Sequence, residues 1–260
     1  MPERDARGSL DGAVAVVTGG GGELGFASAS AMAGRGARIV LVDRSEAALE
    51  DAASRLRPLT EVEAVAADVT SETQVEGYVR SALARFGRID AFHNNAGIEG
   101  QRAPFYDYDV EDFDRVMAVN VRGAFLGLKH VMRVMRDQRS GAIVNSCSIA
   151  SERGSLNGAA YSASKHALLG LTRDAALTMA EFGVRVNAVE PGFMDTRMVR
   201  DLVDRQGGDV ARLGRAVPLG RLGTAAEVGE VVAFLMSDAA SYLTGAAIPV
   251  DGGILTAVPR

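Results

Sequence analysis

Short apolar runs rich in β-branched residues alternate along the chain with longer stretches whose apolar positions recur every three or four residues. The first pattern fits buried strands, the second helices with one apolar face. Strands are predicted at Ala13–Thr18, Ala37–Val42, Val62–Ala67, Ala91–His93, Ala142–Ser146, Arg185–Val189 and Ala247–Val250. Helices are predicted at 24–34, 46–56, 73–86, 109–136, 161–181 and 226–236, and 193–216 reads as irregular with helical patches. Strands separated by helices imply βαβ crossovers and a parallel sheet covered on both faces. The expected fold class is therefore α/β, with one doubly wound parallel sheet of seven strands. In such sheets a ligand binds beyond the carboxyl ends of the strands, near the point where strand order reverses.

Composition narrows the function classes. With 260 residues, 47% of them hydrophobic, the chain can bury one sizeable core, expected over 10–260. The charged segment 1–9 lacks the apolar stretch of a signal peptide and reads as a flexible tail. A net charge of −5 provides no basic surface for nucleic acid or an anionic membrane. No run reaches the ~18 apolar residues of a membrane span. The one cysteine, Cys147, excludes an internal disulfide and is compatible with a reducing cytoplasm. It lies in an apolar strand and reads as a packing residue. His93, His130 and His166 are far apart and lack ligand spacing, so no metal site is expected.

Two constellations carry candidate chemistry. The first predicted strand ends in Thr18-Gly19-Gly20-Gly21-Gly22-Glu23-Leu24-Gly25. A glycine turn opening a helix exposes backbone N–H groups that can receive a pyrophosphate. Asp43, at the end of the second strand, can accept hydrogen bonds from both ribose hydroxyls of an adenosine and repels a 2′-phosphate, which favours NAD over NADP. Arg44 beside it partly offsets that repulsion, and a plain turn-capping role for Asp43 stands as the alternative. The second constellation is Ser148, Tyr161 and Lys165. Residues four apart on a helix share a face, so the Lys165 ammonium can lie beside the Tyr161 phenol and favour its ionised form. Lowering a tyrosine pKa from about 10 to about 7 takes roughly 4 kcal/mol. A lysine and the charge of an oxidised nicotinamide together could supply it.

In order, Thr-Gly-x-x-x-x-Leu-Gly at 18–25, Asn94-Asn95-Ala96-Gly97, Asn120, Ser148, Tyr161/Lys165, Pro191-Gly192 and the stretch from Ser241 to Gly253 resemble the short-chain dehydrogenases/reductases, from Leu10 to Gly253. The resemblance implies a single-domain Rossmann fold and an enzyme transferring hydride between NAD and a carbinol carbon. It implies that Tyr161 is the acid/base, that Ser148 binds the carbinol oxygen, that Lys165 binds the nicotinamide ribose and lowers the Tyr161 pKa, and that Asn120 holds a water in a proton relay. It places Gly19, Gly21, Gly22, Glu23 and Leu24 at the pyrophosphate, Asp43 and Arg44 at the ribose, and Asp68 and Val69 at the adenine. Asn95, Ala96 and Gly97 fall along the adenosine ribose; Pro191, Gly192, Met194 and Thr196 fall on the nicotinamide side. A homotetramer is also implied.

Glu23 departs from the family pattern, which has glycine there. Either its backbone is near-helical with the side chain turned to solvent, or dinucleotide binding is weakened. Substrate walls are expected from Ile149, Leu156, Phe193 and Met198, with a lid over 193–216; Glu99, Glu152 and Arg153 read as solvated or interface residues, with polar selectivity as the alternative. Residues 94–100 and 122–129 resemble enzymes of the levodione reductase type, which implies a small to medium, cyclic or hydrophobic secondary alcohol or ketone. The competing expectations are an NADPH-dependent 3-oxoacyl-thioester reductase of the same fold and a catalytically silent dinucleotide-binding protein that acts through a partner.

Overall fold

The first β-strand, β1 (Val14–Thr18), is buried along its whole length. Ala15 and Val17 face one apolar core and Val14 and Val16 the other, as the two-residue period of a strand requires. Each of the buried valines contributes roughly 1.5–3 kcal/mol. In this computed structural model residues 8–205 and 209–256 are described. Most of the expected tail, three positions of the lid segment and the last four residues lie outside them.

The first half of the chain continues through α1 (Glu23–Ala33), β2 (Arg38–Asp43), α2 (Glu46–Leu56), β3 (Val62–Ala66), α3 (Glu72–Phe86) and β4 (Ala91–Asn94). The second half runs through α4 (Val110–Met117), a π-helical turn (Ala118–Gly123), α5 (Ala124–Gln138), β5 (Gly141–Ser146) and α6 (Ala159–Met179). It ends with β6 (Val184–Pro191), α7 (Arg197–Arg205), α8 (Val210–Arg215), α9 (Ala225–Met236) and β7 (Ala247–Val250). The strands form one seven-stranded sheet in the order β3-β2-β1-β4-β5-β6-β7, parallel throughout. Helices α1, α2 and α9 contribute to one core, and α3, α5 and α6 to the other. Strand order reverses between β1 and β4, which opens a crevice beyond their carboxyl ends.

Two departures from the sequence expectation bear on function. The predicted helix over 109–136 contains a π-turn, and Asn120 sits inside it. Such turns accommodate one extra residue within a helix and collect at functional sites. The lid segment, expected to be irregular, carries α7 and α8. The cap of α8 is local: Asp209 accepts a hydrogen bond from the Ala211 N–H at 2.9 Å. The first amide of α7, that of Arg197, is held by Glu23 from the far end of the chain. A cap borrowed from another element leaves no local signal in the sequence. Among the described residues no helix is long and apolar enough to cross a membrane.

Candidate active site

The glycine turn after β1 is shaped by two positions. Gly19 has φ +65, in the left-handed region that favours glycine. A Cβ on Gly25 would stand 2.1 Å from the Gly19 carbonyl oxygen, so α1 can begin against the turn only with glycine there. Helices α2, α4 and α9 begin with side-chain caps from Ser45, Asp109 and Thr224, but Gly22 offers none to α1. The first amides of α1 are thus left for an anion. Asp43 Oδ2 accepts from the Gly21 N–H at 3.2 Å and Oδ1 from the Ser45 N–H at 3.1 Å. Asp43 therefore leads the chain into α2 and braces the turn at once. A bare-backbone cradle with an uncapped helix start and a carboxylate at its edge fits the pyrophosphate and ribose of a dinucleotide.

The other expected cofactor residues lie at or just after the carboxyl ends of β1, β2, β3, β4 and β6. Thr18 Oγ1 accepts from the backbone N–H groups of Asn95 and Ala96, at 2.9 and 3.1 Å, and Asn95 Nδ2 donates back to the Thr18 carbonyl at 3.1 Å. This stitches the end of β1 to the turn after β4. Gly97 follows, half-buried. Asp68 folds onto Thr70, and Val69 packs against Gly123 in the π-turn. Leu24 packs on the core under α1, whereas Arg44 is exposed. Beyond β6, Pro191 is buried, Gly192 lies against Asp251, and Met194 and Thr196 are buried at 4% and 6% exposure.

Glu23 is the first residue of α1, as the helical alternative expected, but its side chain is not simply turned to solvent. Its carboxylate accepts from the Arg197 N–H at 2.5 Å and from Arg200 Nη2 at 2.9 Å. The lid supplies the cation and the helix start that draw it.

The candidate catalytic groups converge where β5, the π-turn and α6 meet. Ser148 is buried and caps a short 3₁₀ turn (Ile149–Ser151), accepting from the Ala150 N–H at 3.1 Å. Lys165 is 5% exposed, its Nζ donates to the Ser146 carbonyl at 2.6 Å, and it stands 5.4 Å from the centre of the Tyr161 ring. Burial holds the Lys165 pKa below the usual ammonium range. Among the described residues no carboxylate pairs with it. Burial pushes the Tyr161 phenol up to about 12, with the neighbouring Ser148 hydroxyl pulling the other way. In the protein alone burial of the phenol therefore outweighs the neighbouring groups that favour its ionised form. Asn120 commits its side chain fully: Oδ1 accepts from the Ile98 N–H at 2.8 Å, and Nδ2 donates to the Ile98 carbonyl at 2.8 Å and to Ser164 Oγ at 3.0 Å. Ser164 in turn donates to the Tyr161 carbonyl at 2.7 Å. A Cβ on Gly97 would lie 3.2 Å from Asn120 Oδ1 and 3.6 Å from Lys165 Nζ, so the two groups flank the same bare backbone.

The expected substrate walls divide. Ile149 and Phe193 join Val217, Ile254 and Leu255 in one small apolar cluster, whereas Leu156 is 87% and Met198 45% exposed. Sequence reading passed over Val217 and the 254–255 pair because each lies far along the chain from the catalytic serine. Of the expected polar residues, Glu152 and Arg153 are exposed. Glu99 accepts twice from Arg102, which also donates to Ser155 Oγ at 2.9 Å and the Leu156 carbonyl at 2.8 Å, tying the loop after β4 to the loop after Ser148. Glu190, just before Pro191, was also passed over, though a carboxylate inside an apolar strand was its signal. It is 1% exposed, and burial raises its pKa to about 7. Cys147 packs with Leu168, Leu169 and Ala188, and burial pushes its thiol up to about 11, as befits a packing residue. His130 meets Glu72 and Glu76 with donor atoms within 4.8 Å of one another, a juxtaposition that sequence spacing did not disclose. Glu72 is already engaged by Lys129 at 2.6 Å.

Comparison with known proteins gives concordant matches. A family model described as enoyl-(acyl carrier protein) reductase matches residues 22–255. The levodione reductase of Leifsonia aquatica is 42% identical over 92% of this chain and 93% of its own. The cis-4-hydroxycyclohexanecarboxylate dehydrogenase of Sinomonas cyclohexanicum is 43% identical over 92% of this chain and 95% of its own. Among solved structures, a levodione reductase superposes with a TM-score of 0.93 at 41% identity, covering 95% of this chain and 99% of that one. An NAD+-bound xylitol dehydrogenase does so with a TM-score of 0.91 at 41% identity, covering 94% and 99%.

One buried group of the site makes folding sensitive to pH. His93 is fully buried, and desolvation lowers its pKa to about 3. Ser146 Oγ donates to Asn95 Oδ1 at 3.0 Å, so its contact with His93 Nε2 at 2.9 Å requires the Nε2–H tautomer. A histidine neutral in the folded protein and protonated in the unfolded one stabilises the fold above the unfolded pKa of about 6.5, and that stability is lost as pH falls. Between pH 6.5 and 5 the expected loss is about 2 kcal/mol. Urea unfolding at both pH values checks it, and in His93→Asn this share of the loss should vanish.

Proposed function

The chain belongs to the short-chain dehydrogenase/reductase family, and from that premise we propose that it interconverts a secondary alcohol and its ketone with NAD(H). One observation carries the reading: a buried ammonium without a carboxylate partner among the described residues, Lys165, stands 5.4 Å from the ring of the half-buried Tyr161 phenol. A buried charge needs compensation. The Ser146 carbonyl accepts a hydrogen bond from one N–H of the ammonium, and two N–H donors remain for ribose hydroxyls.

When bound, the nicotinamide supplies the hydride acceptor or donor and, oxidised, a second positive charge. Gly19, Gly21, Gly22, Glu23 and Leu24 frame the pyrophosphate, and Asp43, with Arg44 beside it, receives the adenosine ribose. Asp68 and Val69 border the adenine, with Asn95, Ala96 and Gly97 along the adjoining wall. Pro191, Gly192, Met194 and Thr196 face the nicotinamide side. Tyr161 exchanges a proton with the carbinol oxygen, and Ser148 steadies that oxygen by a hydrogen bond. Bringing the phenol from about 12 to near 7 takes roughly 7 kcal/mol, which Lys165 and the oxidised cofactor share in a dry site. Asn120 fixes the backbone beside Lys165 and lies on the path by which the proton exchanges with solvent.

The proposed substrate is small to medium and cyclic or hydrophobic. Support comes from the apolar cluster of Ile149 and Phe193, from Leu156 and Met198 as an apolar rim, and from the cyclic substrates named for two relatives. A panel of cyclic secondary alcohols with NAD checks this, and turnover of acyl-thioester ketones alone would refute it. The proposed assembly is a homotetramer, and sedimentation as a monomer would end that reading.

Tyr161→Phe is expected to lower kcat by about a thousandfold or more while NADH still binds. Lys165→Met should slow the reaction and move its pH profile to the alkaline side, because the phenol loses its resident cation. Steady-state kinetics from pH 6 to 10 with fluorescence titration of NADH measure both. Titration with NADPH in parallel should show weaker binding, since the Asp43 carboxylate repels a 2′-phosphate.

A further inference from the structure

The carboxylate that replaces glycine at position 23 spans the crevice. In a parallel sheet the carboxyl ends of β1 and β6 open on the same side, so α1, which follows β1, and the segment after β6 stand on opposite banks of one crevice. Glu23 opens α1 on one bank. Its Oε2 accepts from the Arg197 N–H, the first amide of α7, at 2.5 Å, and its Oε1 accepts from Arg200 Nη2 at 2.9 Å. Arg200 Nη1 also donates to Asp195 Oδ1 at 2.5 Å. A carboxylate–guanidinium–carboxylate chain thus joins the glycine turn to the first turn of the lid helix and to the residues just before it.

The backbone at 23 does not demand this residue. The described non-glycine residues with positive φ are Arg139 and Asn157, and Glu23 is not among them. Glycine there would keep the helix start and lose the bridge. The bridge also resolves the electrostatic conflict of a carboxylate beside a pyrophosphate. Its charge is taken up by the Arg200 guanidinium and by the positive end of α7.

We infer that Glu23 is a positioning residue that fastens the lid helix to the cofactor turn, so that a dinucleotide in the crevice leaves only when this contact opens. The inference rests on the reading that a dinucleotide occupies the crevice. Met194 and Thr196, buried on the segment leading into α7, are held in place with it. The bridge is partly exposed, its side chains 43–45% accessible, so salt weakens it and it can open without unfolding the domain.

The test compares wild type with Glu23→Gly, Glu23→Gln and Arg200→Met. Hydrogen exchange of the first-turn amides of α7 is measured in the cofactor-free protein, and NADH release by stopped-flow fluorescence. Exchange at Arg197 and NADH release should each quicken about tenfold in Glu23→Gly, equivalent to about 1.4 kcal/mol, with Glu23→Gln between it and wild type. The double variant Glu23→Gln/Arg200→Met should release NADH about as fast as the faster single variant, well short of the product of the single effects, because the two share one contact. Raising salt should quicken release from wild type and not from Glu23→Gly. Unchanged exchange in Glu23→Gly overturns the fastening whether or not NADH binds. Faster exchange with unchanged release overturns the role in cofactor retention. A wild-type protein that binds no NADH overturns the dinucleotide reading, and exchange in the cofactor-free protein then decides the fastening alone.

Discussion

A buried ammonium is the constraint around which the site is arranged. Taking Lys165 out of water costs several kcal/mol unless its protons find acceptors, and the chain provides one, the carbonyl of Ser146 at 2.6 Å. That acceptor is fixed because it belongs to the last residue of β5, in register with Val189 of β6. The lysine therefore has little freedom, and neither has the phenol one helical turn before it. Desolvation depresses one pKa and raises the other, so alone the pair rests as a weakened cation and a neutral phenol. The site is poised to respond to a further charge.

The frame that holds this arrangement is built largely of asparagine. Asn95 links β1 to β5 through Thr18 and Ser146. Asn94 reaches Asn145, which reaches Thr172 on α6. Asn120 binds both backbone groups of Ile98 and the Ser164 hydroxyl. An amide both donates and accepts without carrying charge, so it can satisfy neighbours on several elements without adding to the field around Lys165. Fully satisfied buried networks of this kind favour a single geometry.

The strands were legible because their apolar, β-branched runs are short and bounded, and the position of the glycine turn after β1 followed from them. Tyr161 and Lys165 were legible through a four-residue interval that needs no tertiary information. Features depending on partners distant in sequence were not. The α7 start is held by Glu23, across 174 positions, so the lid read as irregular. The Ser146 carbonyl is backbone and has no sequence signature. Burial of the phenol, which reverses the direction of its pKa shift, depends on packing that Tyr-x-x-x-Lys does not encode. Leu156 and Met198 read as wall residues from the loops that carry them, yet they stand at the surface while Val217 and Ile254 complete the apolar cluster.

The π-turn at Ala118–Gly123 carries a consequence for how this chain tolerates change. One extra residue is wound into a helix that would otherwise run unbroken from α4 into α5. Substitution within the turn leaves that count untouched. Deleting that one residue lets the helix close into a regular one, with α4 and α5 still in register, and removes the widened turn itself. The buried face of α5 would keep its partners, whereas Asn120 would lose the wide turn from which its amide reaches Ile98 and Ser164. The turn therefore separates two duties: the helix on either side carries the packing, whereas the extra residue serves the placement of Asn120 and can be lost without disturbing that packing.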